Sequence, residues 1–400
     1  MNPYRMAPPP RRWKPALSPG LVRCARLLRR WKRRRSQRVF DVEVRGAEFV
    51  RDAVASGCGV LITPNHATHA DAFSMYDAAD VVGRPFYFMA TWHVFDSEGV
   101  IGRWLLQRHG VFSIDREGAD LQAFKTAVDI IKERPNPLVI FPEGEVYHCN
   151  DRVTPFREGA AAIAVSAARR AKRPVVAIPC ALKYEYMDDP TPSLLELATE
   201  LERRVYWRPR VDRTLPERIY GLGKALLTLK EIEYLGEASQ GPLTERIDAL
   251  ARTILGRLED RHDLQPGDAT IPERVKDLRR RSLADLEDLA VDDPKAKRLN
   301  DDLDDLFLVV QLFSYPGDYV ENRPSLERIA ETLDKFEEDV IGKYSATIRG
   351  HRRVTVRFGE SIAVDPKADR RKGAGELIDS LESRVQEMLD GHREDGSRPG

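Results

Sequence analysis

Hydrophobic positions along the chain change rhythm near Tyr184, and the two rhythms predict two kinds of architecture. From Val39 to about Lys183, apolar runs of strand length alternate with longer segments of helical period. GVLIT, RPFYFMA, GVFSID, NPLVIFPEG and RPVVAIPCAL read as strands, being short, rich in β-branched or aromatic residues and bounded by Gly or Pro. Between them LQAFKTAVDIIKER and the alanine-rich REGAAAIAVSAARRAK read as helices. This alternation predicts an α/β domain whose mostly parallel or mixed sheet is covered by helices on both faces.

Beyond Tyr184, from PTPSLLELATELERRVYW to RIAETLDKFEEDVIGKY, the segments are long, charged and helical, with breakers at LGEASQGP and LQPGDATIP. LAVDDPKAKRLNDDLDDL reads as a charged connector into an apolar helix, LFLVVQLF. No internal repeat at a fixed period is evident, and no motif here carries chemistry. Strand alternation returns in HRRVTVRFGESIAV, where Val354, Val356 and Phe358 alternate with Thr355 and Arg357. A lone strand is not stable outside a sheet, so this one is expected to rejoin the first domain. The expected organisation is a basic membrane-associating segment over 1–38, the first part of the α/β domain over 39–185, a helical insertion over 186–348, the last strand and helix of that domain over 349–390, and a disordered tail over 391–400.

Composition is that of a globular protein, with 42% hydrophobic and 32% charged residues over a length that suits two domains or one with an insertion. Four scattered cysteines without a C-x-x-C pair, and no evident secretory signal, suggest a reduced, cytoplasmic setting. No run approaches the roughly 18 apolar residues of a spanning helix. The formal net charge is zero, yet Met1 to Arg45 holds 14 Lys or Arg against two acids, a local excess of +12. Within it Ser18 and Pro19 mark a helix start, and Leu21, Ala25, Leu28 and Trp31 recur at helical spacing, with Arg23, Arg26, Arg30 and Arg33 largely on other faces. Such a basic amphipathic helix suits an anionic membrane surface; phosphates of nucleic acid or a plain solvated arm are the other uses of its charge. No nucleic-acid-binding motif accompanies it, so no nucleic acid partner is expected. Deleting 1–38 is expected to weaken vesicle binding and to spare the fold.

The chemistry concentrates where the first strand ends. TPNHATHADAF puts His66 in a strand-to-helix loop and Asp71 in the first turn of the helix, where a carboxylate is favoured. If the segment turns, His66 can reach Asp71, giving a general base with an orienting carboxylate. No Ser or Cys is clearly placed as a third member, so a substrate hydroxyl can serve as nucleophile. His69 is a rival base. His148 beside Cys149 lacks further ligands at usable spacing, and no metal is expected.

Four motifs then fall in order: NHATHAD, GVFSIDR with Arg116, FPEG with Glu143 and Gly144, and VVAIP ending at Pro179. In order and rough spacing they resemble the glycerolipid acyltransferases, the family of lysophosphatidic acid and glycerol-3-phosphate acyltransferases and of tafazzin. FREGA and VRFGESI are similar to that family's helix after the third motif and its late strand. The resemblance covers about 40–184 and 350–390. It implies that His66 deprotonates an acceptor hydroxyl, which attacks the thioester of an acyl-CoA or acyl carrier protein, and that Asp71 orients His66. Arg116 and the Glu143–Gly144 turn would hold the acceptor, such as lysophosphatidate, with Arg152 or Arg157 adding positive charge and Pro179 shaping the pocket. It also implies no cofactor beyond the acyl co-substrate, and together with the basic N-terminal helix and the cysteine pattern it suggests a peripheral membrane, cytoplasmic location. Unlike phosphatidic-acid-forming members, which usually continue FPEG with threonine and arginine, this chain continues with Glu145 and Val146. That departure opens the alternative of a lysophospholipid or other non-phosphomonoester acceptor. A non-catalytic lipid-binding scaffold is the alternative from another class.

Overall fold

The computed structural model describes residues 12–116, 120–206, 208–265, 269–286, 289–290, 292–321, 324–343 and 345–396. In chain order the elements are α1 (Pro19–Cys24), α2 (Arg26–Gln37), β1 (Val39–Arg45), α3 (Ala47–Ala55), β2 (Gly59–Pro64), α4 (Asp71–Val82), β3 (Tyr87–Thr91), α5 (Trp92–Asp96), α6 (Val100–Arg108), β4 (Val111–Ile114), α7 (Leu121–Glu133), β5 (Leu138–Val139), α8 (Gly159–Ala168) and β6 (Val175–Tyr186). Six helices follow: α9 (Thr191–Tyr206), α10 (Leu215–Leu235), α11 (Leu243–Arg261), α12 (Ile271–Leu286), α13 (Pro294–Phe313) and α14 (Leu326–Ile341). The chain closes with β7 (Arg352–Phe358), β8 (Ile362–Ala363) and α15 (Arg370–Gly396). Among the described residues, 12–190 with 348–396 form one compact unit and 191–347 another.

The first unit is an α/β domain built on one mixed sheet in the order β1-β7-β6-β2-β5-β3-β4, with β8 also on β6. Strands β2 to β6 run parallel, whereas β7 is antiparallel to β6 and parallel to β1. Both faces are covered, which explains why the central strands are apolar at every position rather than at alternate ones. Leu61, Leu138 and Ala177 pack with α7, α8 and α15, while Val60, Ile62, Val139 and Ile178 pack with α3 and α4 on the other side. At the outer edge, Trp13 donates its backbone N–H to Ser113 Oγ, accepts from the Ser113 N–H and stacks on Phe95 at 5.0 Å. This strap shields β4, which would otherwise expose a row of backbone groups.

The basic N-terminal segment departs from expectation in what its two faces do. It forms two helices, α1 and α2, and four arginines of α2 turn toward α4. Arg30 and Arg33 pair with Asp77 of α4 at 3.2 and 2.7 Å, and Arg26 and Arg29 with Asp80, both at 3.1 Å. Asp77 is buried and Asp80 largely so, and carboxylates in such places need partners, because desolvation penalises an unpaired charge. Leu27, Leu28 and Trp31 are left 77%, 62% and 63% exposed. The segment is therefore part of the domain, and its removal would leave Asp77 and Asp80 without cations, contrary to the expectation that the fold would be spared. Its first 11 residues lie outside the described residues.

In the helical unit, three helices open with the same device. Arg218, Arg246 and Arg274 stand 28 residues apart, in the settings TLPER, PLTER and TIPER. Each reaches back to a glutamate of the preceding helix: Glu202 on α9, Glu231 on α10 and Glu259 on α11, at 2.7, 2.6 and 2.7 Å. Thr214 and Thr270 add capping boxes with Glu217 and Glu273. An internal period is thus present where none was read, because only five residues of each 28 carry it. PKAKRLNDDLDDL, read as a connector, is helical in α13, whose inner face buries Leu299, Asp302 and Leu303. Asp302 pairs there with Arg261 and His262. Residues 391–396, expected in a disordered tail, continue α15, whose buried Leu381, Val385 and Leu389 carry the helix past the sheet; 397–400 lie outside the described residues.

Candidate active site

The apolar strand β2 ends at Pro64, and the chain turns at once. Asn65, fully buried, makes that turn rigid: its amide accepts from the Leu182 N–H at 2.7 Å and donates to the Leu182 carbonyl at 3.1 Å. It thereby continues the β2–β6 ladder with a side chain. The turn delivers His66, whose Nδ1 lies 2.8 Å from Asp71 Oδ2 at the start of α4. Asp71 is fully buried and also accepts from the Thr68 N–H at 3.1 Å, whereas the His66 side chain is 22% exposed. Phe141 stacks on the imidazole at 4.3 Å. A ring held by a buried carboxylate at Nδ1 presents Nε2 outward, the geometry a general base requires. His69 is exposed, with its ring 6.1 Å from that of His148.

The turn after β5 packs directly against this loop. Glu143, 2% exposed, accepts from the His66 N–H at 2.6 Å and the Thr154 N–H at 3.1 Å, so one carboxyl ties together the two loops that flank the site. Burial pushes its carboxyl up to about 7, against the pull of those two donors. Gly144 has φ +82°, and a Cβ there would sit 2.9 Å from the Arg157 guanidinium, so the turn both needs glycine and seats Arg157 beneath it. Arg157 also bonds the Tyr147 side chain. From the end of β4, Arg116 donates to the Gly144 carbonyl and lies 3.7 Å from Glu145. His66, Asp71, Arg116, Glu143, Gly144 and Arg157 therefore meet around one turn. Pro179 sits in β6 opposite Thr63.

Arg152 is placed differently: it is exposed on the next loop, between Asp151, which pairs with buried Lys183, and Val153, whose N–H donates to Gln386 of α15 at 3.0 Å. Asn150 repeats the Asn65 device one step along β6, accepting from and donating to the Tyr184 backbone at 2.7 Å each. Sequence reasoning missed Asn65, Asn150 and Phe141. An asparagine directly after a buried strand was the available signal for the first; the other two depend on tertiary contacts.

The site thus gathers a histidine held by a buried carboxylate and a turn approached by Arg116 and Arg157, at the carboxyl ends of parallel strands. Residues 41–183 match the family model described as Acyltransferase, a match that supports kinship with the glycerolipid acyltransferases over that part of the chain. Over 105 residues it is 33% identical to a 1-acyl-sn-glycerol-3-phosphate acyltransferase of Streptococcus pneumoniae (strain ATCC BAA-255 / R6). The aligned stretch takes in 26% of this chain and 36% of that relative, so the chain spans about a third of the relative's length.

Proposed function

We propose that the protein moves a fatty acyl group from an acyl thioester, on coenzyme A or an acyl carrier protein, to the hydroxyl of a glycerolipid acceptor. The observation that carries this reading is the 2.8 Å contact of His66 Nδ1 with fully buried Asp71. His66 Nε2 takes the acceptor's hydroxyl proton as its oxygen attacks the thioester carbonyl carbon. Asp71 stabilises the imidazolium that results. The tetrahedral intermediate then expels the thiolate, the C–S bond breaks, and the imidazolium returns the proton to sulfur, leaving an ester and a free thiol. Arg116 and the Gly144 turn hold the acceptor's polar end, as a planar fork of donors suits an oxyanion. Lysophosphatidate is the acceptor the relative's description implies.

A lipid acceptor requires access to a membrane. Among the described residues no helix is long and apolar enough to cross one. Surface docking has two supports in this domain: the α2 ridge of Leu27, Leu28 and Trp31, flanked by exposed Lys32, Arg34 and Arg35, and the start of α6, where Val100 and Ile101 are 81% and 75% exposed.

The test is thiol release from a long-chain acyl-CoA, or from an acyl carrier protein donor, with lysophosphatidate, glycerol 3-phosphate, lysophosphatidylcholine or no acceptor. Release that needs an acceptor and falls by about 10²–10⁴-fold in His66→Ala, and comparably in Asp71→Asn, is the expected outcome. Acceptor-stimulated release that survives His66→Ala would rule the mechanism out.

A further inference from the structure

Two guanidinium groups approach the FPEG turn, and both already have protein partners there. Arg157 is seated beneath Gly144 and bonded to Tyr147. Arg116 donates to the Gly144 carbonyl, and the Glu145 carboxylate stands 3.7 Å from the same nitrogen. Arg116 and Glu145 are 27% and 26% exposed, so both charges reach solvent and are open to a ligand. Behind them lie two further carboxyl groups, Glu143 at 2% exposure and Asp71 fully buried. The surface offered to an acceptor is therefore an adjacent cation and anion rather than a pool of positive charge.

We propose that Glu145 selects the acceptor's headgroup: Arg116 and Glu145 together form a site for a zwitterionic lysophospholipid, with the phosphodiester on Arg116 and the ammonium on Glu145. This rests on the acyl-transfer reading of the site and narrows it. A phosphomonoester carries close to two negative charges and no cation, so at Arg116 it meets Glu145 as an uncompensated neighbour. A phosphodiester brings one negative charge and, in a zwitterion, its own counter-charge a few ångströms away. Unlike charges then face each other at both contacts.

The experiment uses the full chain and two readouts. In the first, thiol release from a long-chain acyl-CoA is measured with lysophosphatidylethanolamine and with lysophosphatidate in neutral detergent micelles, for wild type, Glu145→Gln and Glu145→Lys. The expected result is a kcat/KM ratio favouring the zwitterion by about tenfold or more in wild type, approaching unity in Glu145→Gln and inverted in Glu145→Lys. In the second, calorimetric titration with soluble glycerophosphoethanolamine and glycerol 3-phosphate reads headgroup preference without turnover. A wild-type preference for the phosphomonoester in either readout, or a ratio unmoved by both substitutions, overturns the selector. Absence of acceptor-dependent release alongside a calorimetric preference for glycerophosphoethanolamine, lost in Glu145→Gln, would instead sink acyl transfer and leave the headgroup site standing.

Discussion

At the scale of single residues, Glu143 is the group whose ionisation the fold alters most usefully. Its carboxyl titrates near 7 in the folded chain against an ordinary 4.5, so the folded state binds that proton more tightly than the unfolded state does. The stability this contributes is fully present below about pH 4.5 and is lost as pH rises through about 7, on the order of 1.4 kcal/mol per unit between. Glu143→Gln cannot titrate, and is expected to flatten the dependence of unfolding free energy on pH between about 4.5 and 7 in urea melts. An unchanged slope would mean that other groups carry it. The His66 and Asp71 pairing was legible from spacing alone once a turn was granted, and Arg116, Glu143 and Gly144 were legible by motif. Asn65 and Asn150 were not, because their partners on β6 lie more than 30 residues away and sequence spacing says nothing about which backbone groups a strand leaves unpaired.

At the scale of elements, α2 shows how an amphipathic pattern can be read correctly and faced wrongly. Helical spacing separates its leucines and tryptophan from its arginines, but spacing alone does not say which stripe meets the protein. The acidic residues of α4 decide it: Asp77 and Asp80 lie under α2, and four arginines are drawn inward to them. Membrane docking by this helix should then depend more on its apolar ridge than on charge. Replacing Leu28 and Trp31 together by Glu is expected to reduce sedimentation with phosphatidylglycerol-containing vesicles by about tenfold or more. Raising ionic strength to about 1 M, where screening acts over roughly 3 Å, should reduce wild-type binding less than that. Binding abolished by salt and indifferent to the double substitution would return the role to the exposed basic residues. The strands of the sheet were the most legible elements, because an apolar run buried on both faces has few other uses. The 28-residue period of the helical unit was the least, since its signature is one arginine and a cap per helix against a background of charge.

At the scale of the whole molecule, the chain leaves the sheet for the helical unit after β6 and returns to it at β7, the antiparallel neighbour of β6. Tyr186 of β6 pairs with Arg352 of β7, the Met187 N–H donates to the His351 carbonyl at 2.8 Å, and the His351 N–H donates to Asp188. The points where the chain leaves and re-enters the sheet are thus neighbours, and replacing 191–347 by a short Gly-rich turn should leave an α/β domain that unfolds cooperatively in urea. Loss of a cooperative transition would show that the sheet depends on the helices. The same connection sets an order of events on the ribosome. β1 hydrogen-bonds within the sheet only to β7 among the described residues, and β7 follows β6 by more than 160 positions. At about 5–20 residues per second, the first strand waits roughly fifteen to sixty seconds for its neighbour, and β6 waits roughly eight to thirty seconds while the helices emerge between them. During that interval the growing chain holds an unfinished sheet edge at β6, so a nascent-chain holdase, or early folding of the helical unit, is what would keep the half-built domain from pairing with another copy.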